Sequence, residues 1–566
     1  MRTWWAIIIL SFVLFSFAPT FYELGQSEKL TSTRSFELVH NYYTDYNFYL
    51  SRIRQGYDGK WLLHEIYTNE PHKGTIIHEF YLLLGQASRF IPDASFAIPA
   101  AYHVARAALG VLLLALIAWA TTQLFSSRFW QMTAFLTVVT SAGWPLIASL
   151  ESGGWRFNNY MPWWTVLEPL QRITFIPHIM AAQAGLLFLI MARSDLAKNW
   201  VPLGLLAMLT GLAMPQALMT VYGVYVLLSI IDNRKSTRWP RVLIMIMSVW
   251  TILYFLPLLS QYPWKRLIDF EVLHPTRFSY FEYLKTLGVS LPLGLIGSAI
   301  VLWKKDTKWY PIVAWAIGVP LVVLMMLIKP IQHPLRFTEM AAYIPLSFLT
   351  AYLFYQVILY LDTQFCFWKK YQVLSIKYQV YKIRHYVYII LYTLYFILIL
   401  YGITAMYHQY FWQKDFIDQK IIAGWPAIPM NNYIVYPSKG FIDAIGFIDK
   451  QTDRNSVVLT EITAGNFIPA RTGRLVYVGH ENTSYKEEKL VIAKEFYQGN
   501  MDPKKAYAWI LKEGITHIFV GPEEKLDMEN VDLPTVYPFL REIYGNTDAA
   551  IYSFDTPSQF PLKIQK

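Results

Sequence analysis

The chain has a single cysteine in 566 residues. Cys366 therefore closes no intrachain disulfide, and without a second thiol neither a thiolate-ligated metal centre nor dithiol redox chemistry is expected. Charge is scarce as well. Asp, Glu, Lys and Arg make up 16% of the residues against 55% hydrophobic and 17% aromatic, and the mean hydropathy is +0.29. A chain this long with so little charge is too apolar for a soluble protein. It reads as a polytopic α-helical membrane protein with a soluble appendage. Internal repeats and low-complexity segments are missing, and the C-terminal glycines Gly465, Gly473, Gly479 and Gly521 match neither a P-loop nor a dinucleotide fingerprint.

What is present is hydrophobic length. Apolar runs predict about eleven transmembrane helices, at about 4–21, 97–125, 130–149, 174–193, 200–214, 216–232, 241–260, 288–303, 309–328, 340–361 and 386–406. Arg2 ahead of the first run imitates a signal peptide, but no small-residue cleavage pattern follows, so that run is expected to stay as a helix. The stretch 201–231 is long for one span and short for two, with Pro215 near its middle. Counting two spans gathers Arg2, Arg128, Arg193, Lys198, the basic residues 234–241, Lys304, Lys305, Lys308 and the basic run 369–384 on one side. The positive-inside rule then predicts a multi-pass protein of the plasma (inner) membrane, with a cytoplasmic N-terminus and an extracytoplasmic C-terminal region. Because much of the net charge of +10 lies in these short loops, nucleic acid is not an expected partner.

The expected external stretches are 22–96, 150–173, 261–287, 329–339 and the C-terminal region. The first gathers Asp45, Asp58, His64, Glu65, Glu70, His72, His78 and Glu79. Tyr46, Tyr49, Leu50 and Ile53 recur at helical spacing with Asn47, Ser51 and Arg54 opposite, which predicts a helix lying in the membrane interface, and Ile76, Phe80, Leu83 and Leu84 repeat the pattern. His72, His78 and Glu79, with His64 and Glu65 nearby, are candidates to hold a divalent cation such as Mg or Mn together with waters. No His pair has the i, i+4 spacing of a zinc helix. The second stretch carries Trp155, Trp163 and Trp164, suited to an interface or to stacking on sugar, and its Glu151 and Glu168 are possible second acids. The fourth, KPIQHPLRFTE, is short, basic and outside, against the charge rule. From about Asn431 the composition changes to that of a small α/β domain, 431–566, with helices near 441–450, 485–497 and 503–513 and strands 457–460, 475–478 and 517–520. Between them GNFIPARTG reads as a turn whose Asn466 and Phe467 can contact glycan. Glu461 and His480 form no recognisable triad.

Asp45-Tyr46-Asn47-Phe48-Tyr49 follows the first span closely on a bundle of about eleven spans, and in this the chain resembles the GT-C superfamily of integral-membrane glycosyltransferases. The run VVLTEITAGNFIPARTGRLVYVGHENT is similar to the external domain of bacterial members. Where many members have two adjacent acids this chain has Thr44-Asp45-Tyr46, so a metal requirement is not carried over. The resemblance implies a transmembrane catalytic module, 1–430, that moves a sugar from a polyprenyl-phosphate donor to a glycan, lipid or protein acceptor on the outer face, with inversion.

Physical reasoning assigns the parts. A hydroxyl acceptor is a poor nucleophile, so a carboxylate must take its proton. Asp45 is expected to be that base, held ionised by Arg52 two turns further along. Asp58 is the alternative, although Tyr-Asp-Gly also suits a turn. The leaving phosphate needs cations, and Arg172, His178, Lys329, His333 and Arg336 stand at expected external span ends. Arg336 is the principal candidate because a guanidinium grips phosphate in a fork. Arg172 and Arg336 equally suit snorkelling to lipid headgroups. Tyr46, Tyr49 and the three tryptophans are expected to contact sugar or acceptor. A transporter or flippase would bury ionisable groups inside its spans, and a lipid-linked glycan ligase or polymerase would rely on external basic residues without an acidic base.

Overall fold

The computed structural model describes residues 3–192, 198–232, 234–328, 332–368 and 374–554. They form two compact units: Met1–Pro19, Arg106–Leu253 and Pro275–Gln413 make the first, and Thr20–Ala105, Tyr254–His274 and Lys414–Lys566 the second. The units cut the chain differently from a division at residue 430, because the stretch after the first span belongs with the C-terminal region.

The first unit is helical. Each of the eleven expected runs contains a helix, but among the described residues six helices are long and apolar enough to cross a membrane, seven if the bent pair Tyr280–Thr286 and Ser290–Lys304 is one span. The count of eleven spans does not follow from the structure. Pro177–Met191, Trp200–Ala213 and Pro215–Ile231 are shorter apolar helices, and Arg128–Thr140 has only 13 residues, about 20 Å at 1.5 Å per residue. The expected third span ends early because Leu146–Ser149 and Trp155–Asn158 form an antiparallel hairpin. The two-helix reading of 201–231 agrees with the structure: Met214 is extended and Pro215 opens the next helix at its first position, where a missing N–H costs nothing.

The second unit is built on a five-stranded sheet in the order Leu475–Val476, Val457–Leu459, His517–Val520, Ala550–Phe554, Leu540–Gly545. The first three strands run parallel, and Ala550–Phe554 runs antiparallel to both of its neighbours, His517–Val520 and Leu540–Gly545. The short apolar runs and intervening helices announced the parallel strands, whereas the closing hairpin carries no alternation strong enough to stand out. The helices Lys486–Tyr497 and Pro503–Glu513 belong to a core with Leu459, Ile518 and Tyr552. A separate core gathers Phe441, Ile445, Val458, Phe467 and Phe519, and Tyr43, Phe48 and Tyr67 from the opening stretch enter it. Burying a side chain such as Phe48 contributes about 1.5–3 kcal/mol, so the opening stretch is part of this core.

Two helices organise the opening stretch, Tyr43–Tyr57 and Glu79–Ser88. They touch backbone to backbone: a Cβ added at Gly56 would stand 2.0 Å from the Leu82 carbonyl oxygen, and one added at Gly85 would stand 2.0 Å from that of Ile53.

Candidate functional site

Asp45 lies in the first turn of the Tyr43–Tyr57 helix and is exposed. An acidic residue in a first turn stands at the positive end of the helix dipole. Burial, with the Asp45 charge adding, pushes the neighbouring Tyr42 phenol up.

The rest of that helix departs from the expected interfacial one. Asn47, Ser51, Arg52 and Arg54, placed on or beside a polar outer face, are buried. Polar groups survive burial only when bonded, and each has found a partner. Asn47 Nδ2 donates to Asn466 Oδ1 at 2.8 Å. Arg52 is not the partner of Asp45: its Nη2 donates to Glu65 Oε2 at 2.5 Å and its guanidinium lies 3.4 Å from the centre of the Phe48 ring. Arg54 donates to Asp58 at 3.1 Å and to Asp449 at 3.0 Å, and also to the Arg471 carbonyl. Asp58 itself caps the helix C-terminus, its backbone N–H bonded to the Arg54 carbonyl, and Gly59 follows at φ +92°. The turn reading of Asp58 thus agrees with the structure.

The aromatic candidates on the apolar face are packed inward. Tyr46 is buried, with its hydroxyl 3.3 Å from His103 Nε2, and Tyr49 stacks on Tyr81 with ring centres 4.7 Å apart. Tyr46 is therefore unavailable to a sugar, and Tyr49 is half-buried. Asn466 and Phe467, expected in a glycan-contacting turn, are buried in the helix Ile462–Thr472. Sequence reasoning took Gly465 and Pro469 as turn residues. Gly465 instead lets the helix approach the chain after the second parallel strand, since an added Cβ would stand 2.1 Å from the Val478 carbonyl oxygen. His480 stacks on Phe48 at 4.6 Å, and burial holds its imidazole neutral.

The residues proposed for a divalent cation do not fit one. His72 Nε2 accepts from the Glu65 backbone N–H at 2.8 Å while Nδ1 lies 2.8 Å from the Glu70 carbonyl, which commits both ring nitrogens of a neutral imidazole. His78 opens the Glu79–Ser88 helix at φ +55°, and burial raises the Glu79 carboxyl. Among the described residues no three His, Cys, Asp or Glu side chains gather as a metal site.

In the helical unit the structure joins 159–183 to 332–343. Trp164 Nε1 donates to Thr338 Oγ1 at 2.9 Å, and Gln183 Nε2 donates to the Glu339 carbonyl at 2.7 Å. Arg336 lies in the short helix Leu335–Thr338 with its Nη1 3.7 Å from Glu339 Oε1. Glu339 is buried, and sequence reasoning missed it. Its i, i+3 spacing from Arg336 at the start of an apolar run is the signal that could have found it. His333 Nδ1 accepts from the Leu335 N–H at 3.2 Å, and Lys329 lies outside the described residues.

Arg172 leaves the set of phosphate contacts. It is buried, stacks 3.7 Å from the centre of the Tyr343 ring, and donates to the carbonyls of Val138, Val139 and Ser141. That excludes snorkelling as well. Glu168 is buried, bonded by Gln171, and pushed up to about 7 by desolvation. Glu151 lies exposed in the turn of the hairpin, Trp155 packs against Phe157 and His408, and Trp163 is exposed.

Among the described residues the arrangement is helical, with six helices, or up to seven, long and apolar enough to cross a membrane, and a C-terminal region with a five-stranded sheet. The chain is similar to the oligosaccharyltransferase of Archaeoglobus fulgidus in its apo form, with TM-score 0.50 and 12% identity over 99% of this chain and 76% of that one. A second structure of that protein, tethered with an acceptor peptide containing the NVT sequon via a disulfide bond, matches with TM-score 0.45 and 12% identity, over 98% and 74%. At this identity the likeness shows a shared fold. It is to an archaeal enzyme, and so gives no support to the bacterial type that the sequence resembles. No family model matches the chain, and no curated protein matches it either.

Proposed function

We propose that the protein is a membrane glycosyltransferase that moves a sugar from a polyprenyl-phosphate-linked donor to a glycan, lipid or protein acceptor, with inversion, and that Asp45 is its general base. The observation that carries this reading is the contrast on one helix between an exposed Asp45 in the first turn and the buried, paired Asn47, Arg52 and Arg54 behind it. A base must reach the proton that it removes and must not wander, and a rigid seat with one exposed acid meets both needs. In the reaction the Asp45 carboxylate takes the acceptor hydroxyl proton while the oxygen bonds to the anomeric carbon. The bond from that carbon to the carrier phosphate breaks, and the phosphate leaves with the electron pair. Arg336, with His333 and His178, is the set assigned to the leaving charge. No step is assigned to a metal.

We assign the reaction to the extracytoplasmic face of the plasma membrane, with the C-terminal region on that side. The side-selective basic loops support this orientation. Incubating purified protein with polyprenyl-phosphate mannose and polyprenyl-phosphate glucose and following release of carrier phosphate tests the proposal. Release dependent on Asp45 is expected. Transport of either donor across a vesicle without release would replace the enzyme by a flippase.

A further inference from the structure

We propose that Asn466, in the region after residue 431, is the positioning residue for Asp45. The inference rests on the reading of Asp45 as the base. Tyr42 at the N-cap of the Tyr43–Tyr57 helix makes no side-chain capping bond, and Tyr43 in the first turn is packed in the core. Uncapped helix starts fray, and a frayed start would let the base drift. The Asn466 amide adds a restraint from outside the helix. Its Nδ2 donates to the carbonyl of Thr44 at 3.2 Å, and its Oδ1 accepts from Asn47 Nδ2 at 2.8 Å. One planar group therefore holds the residue before Asp45 and the residue two after it.

The amide is itself well fixed. Asn466 is fully buried in the interior of its helix, a position where asparagine is a poor choice for helix stability. An apolar residue would fill that space at lower cost unless the two amide bonds were needed. The close approach of Gly465 to the Val478 carbonyl fixes where the helix stands, and Tyr67 Oη donates to the Asn466 carbonyl at 3.3 Å. The sheet thus sets the helix, the helix sets the amide, and the amide sets the backbone on both sides of the base. Misplacing a reacting group by about 1 Å costs on the order of 10²-fold in rate.

The test uses the full-length protein with polyprenyl-phosphate mannose and glucose as probes, measuring carrier-phosphate release beside Asp45→Asn and a thermal melt. Asn466→Ala is expected to lower kcat about 10-fold or more with KM for the donor unchanged. Asn466→Asp keeps the size and the acceptor for Asn47 but loses the donor to Thr44. It should show the same split, and it serves as the readout if the alanine variant does not accumulate folded. Asn47→Ala leaves the Thr44 bond and should lose less. An unchanged kcat in a folded Asn466 variant, with Asp45→Asn inactive, would overturn the positioning role and leave Asp45 as base. Equal losses in kcat and donor affinity would reduce Asn466 to general packing. Normal turnover by Asp45→Asn would instead sink the underlying reading.

Discussion

The Tyr43–Tyr57 helix is fixed by pairs of side chains, Asn47 to Asn466, Arg52 to Glu65 and Arg54 to Asp449. The segment around Arg336 is held by backbone and side-chain bonds together, with Gln183 on the Glu339 carbonyl, Trp315 on the Met340 carbonyl and Trp164 on the Thr338 hydroxyl. A side-chain pair fails when either member changes, whereas a carbonyl is offered by any residue. The first region therefore couples stability to residue identity more strongly than the second, where the Gln183 and Trp315 bonds fall on carbonyls that any residue at 339 and 340 would offer.

The sharpest break of this contrast is Arg52→Met. It strands a buried Glu65 carboxylate and should cost about 3–5 kcal/mol of stability, read by chemical or thermal denaturation, with Glu65→Gln added in the same chain restoring much of the loss. A cost under about 1 kcal/mol would mean that the buried pair is not the anchor. Next is Asp45→Asn, which keeps the shape and removes the charge. Turnover should fall on the order of 10²-fold or more with an unchanged melt, while Asp58→Asn keeps turnover and loses stability through Arg54. The reverse pattern in a carrier-phosphate release assay would move the site to the Asp58 turn.

Arg336→Lys should weaken donor use about 10-fold, which is about 1.4 kcal/mol, at an unchanged melting temperature. Equal donor KM in the two proteins would return Arg336 to a lipid contact. The smallest effect is a slope. Burial pushes Glu168 from its ordinary 4.5 up to about 7, so between those values the folded chain holds a proton that the unfolded chain has released. Stability from this group is full below about 4.5, falls as pH rises, and levels off above about 7. Glu168→Gln should match the parent in acid and gain on it toward neutral pH, as melts across pH would report. Parallel curves would show that Glu168 is solvated.

Much of the architecture is legible in the sequence because hydrophobic length and strand–helix alternation are local signals. Pro215 and the Tyr-Asp-Gly turn at Asp58 are of that kind. The site is less legible because the same pattern describes two environments. Asn47, Ser51 and Arg54 opposite an apolar stripe fit a helix at a membrane surface, and they equally fit a helix whose polar face meets matching groups elsewhere in the chain. Only Asn466 and Asp449, some 400 residues away, distinguish the two, and no local window contains them. Arg52 was misassigned to Asp45 for the same reason: a helical repeat shows which residues share a face and not what lies against it. Glu65, 13 residues further on, was within reach of the sequence but carried no periodic signal.

The contact of Gly56 with Gly85 has a mechanical consequence. The two helices meet main chain to main chain where Gly56 crosses Gly85, and Tyr49 stacked on Tyr81 packs the same pair further along. The Tyr43–Tyr57 and Glu79–Ser88 helices therefore turn together as a single blade, and any gating movement that swings Asp45 must bend at the blade's ends, in the His40–Tyr42 approach or the 58–78 connection. Alanine at either glycine would act as a shim, opening the blade at its crossing and tilting the far end where Asp45 sits, so that an added methyl group would be felt at the carboxylate as a change of aim.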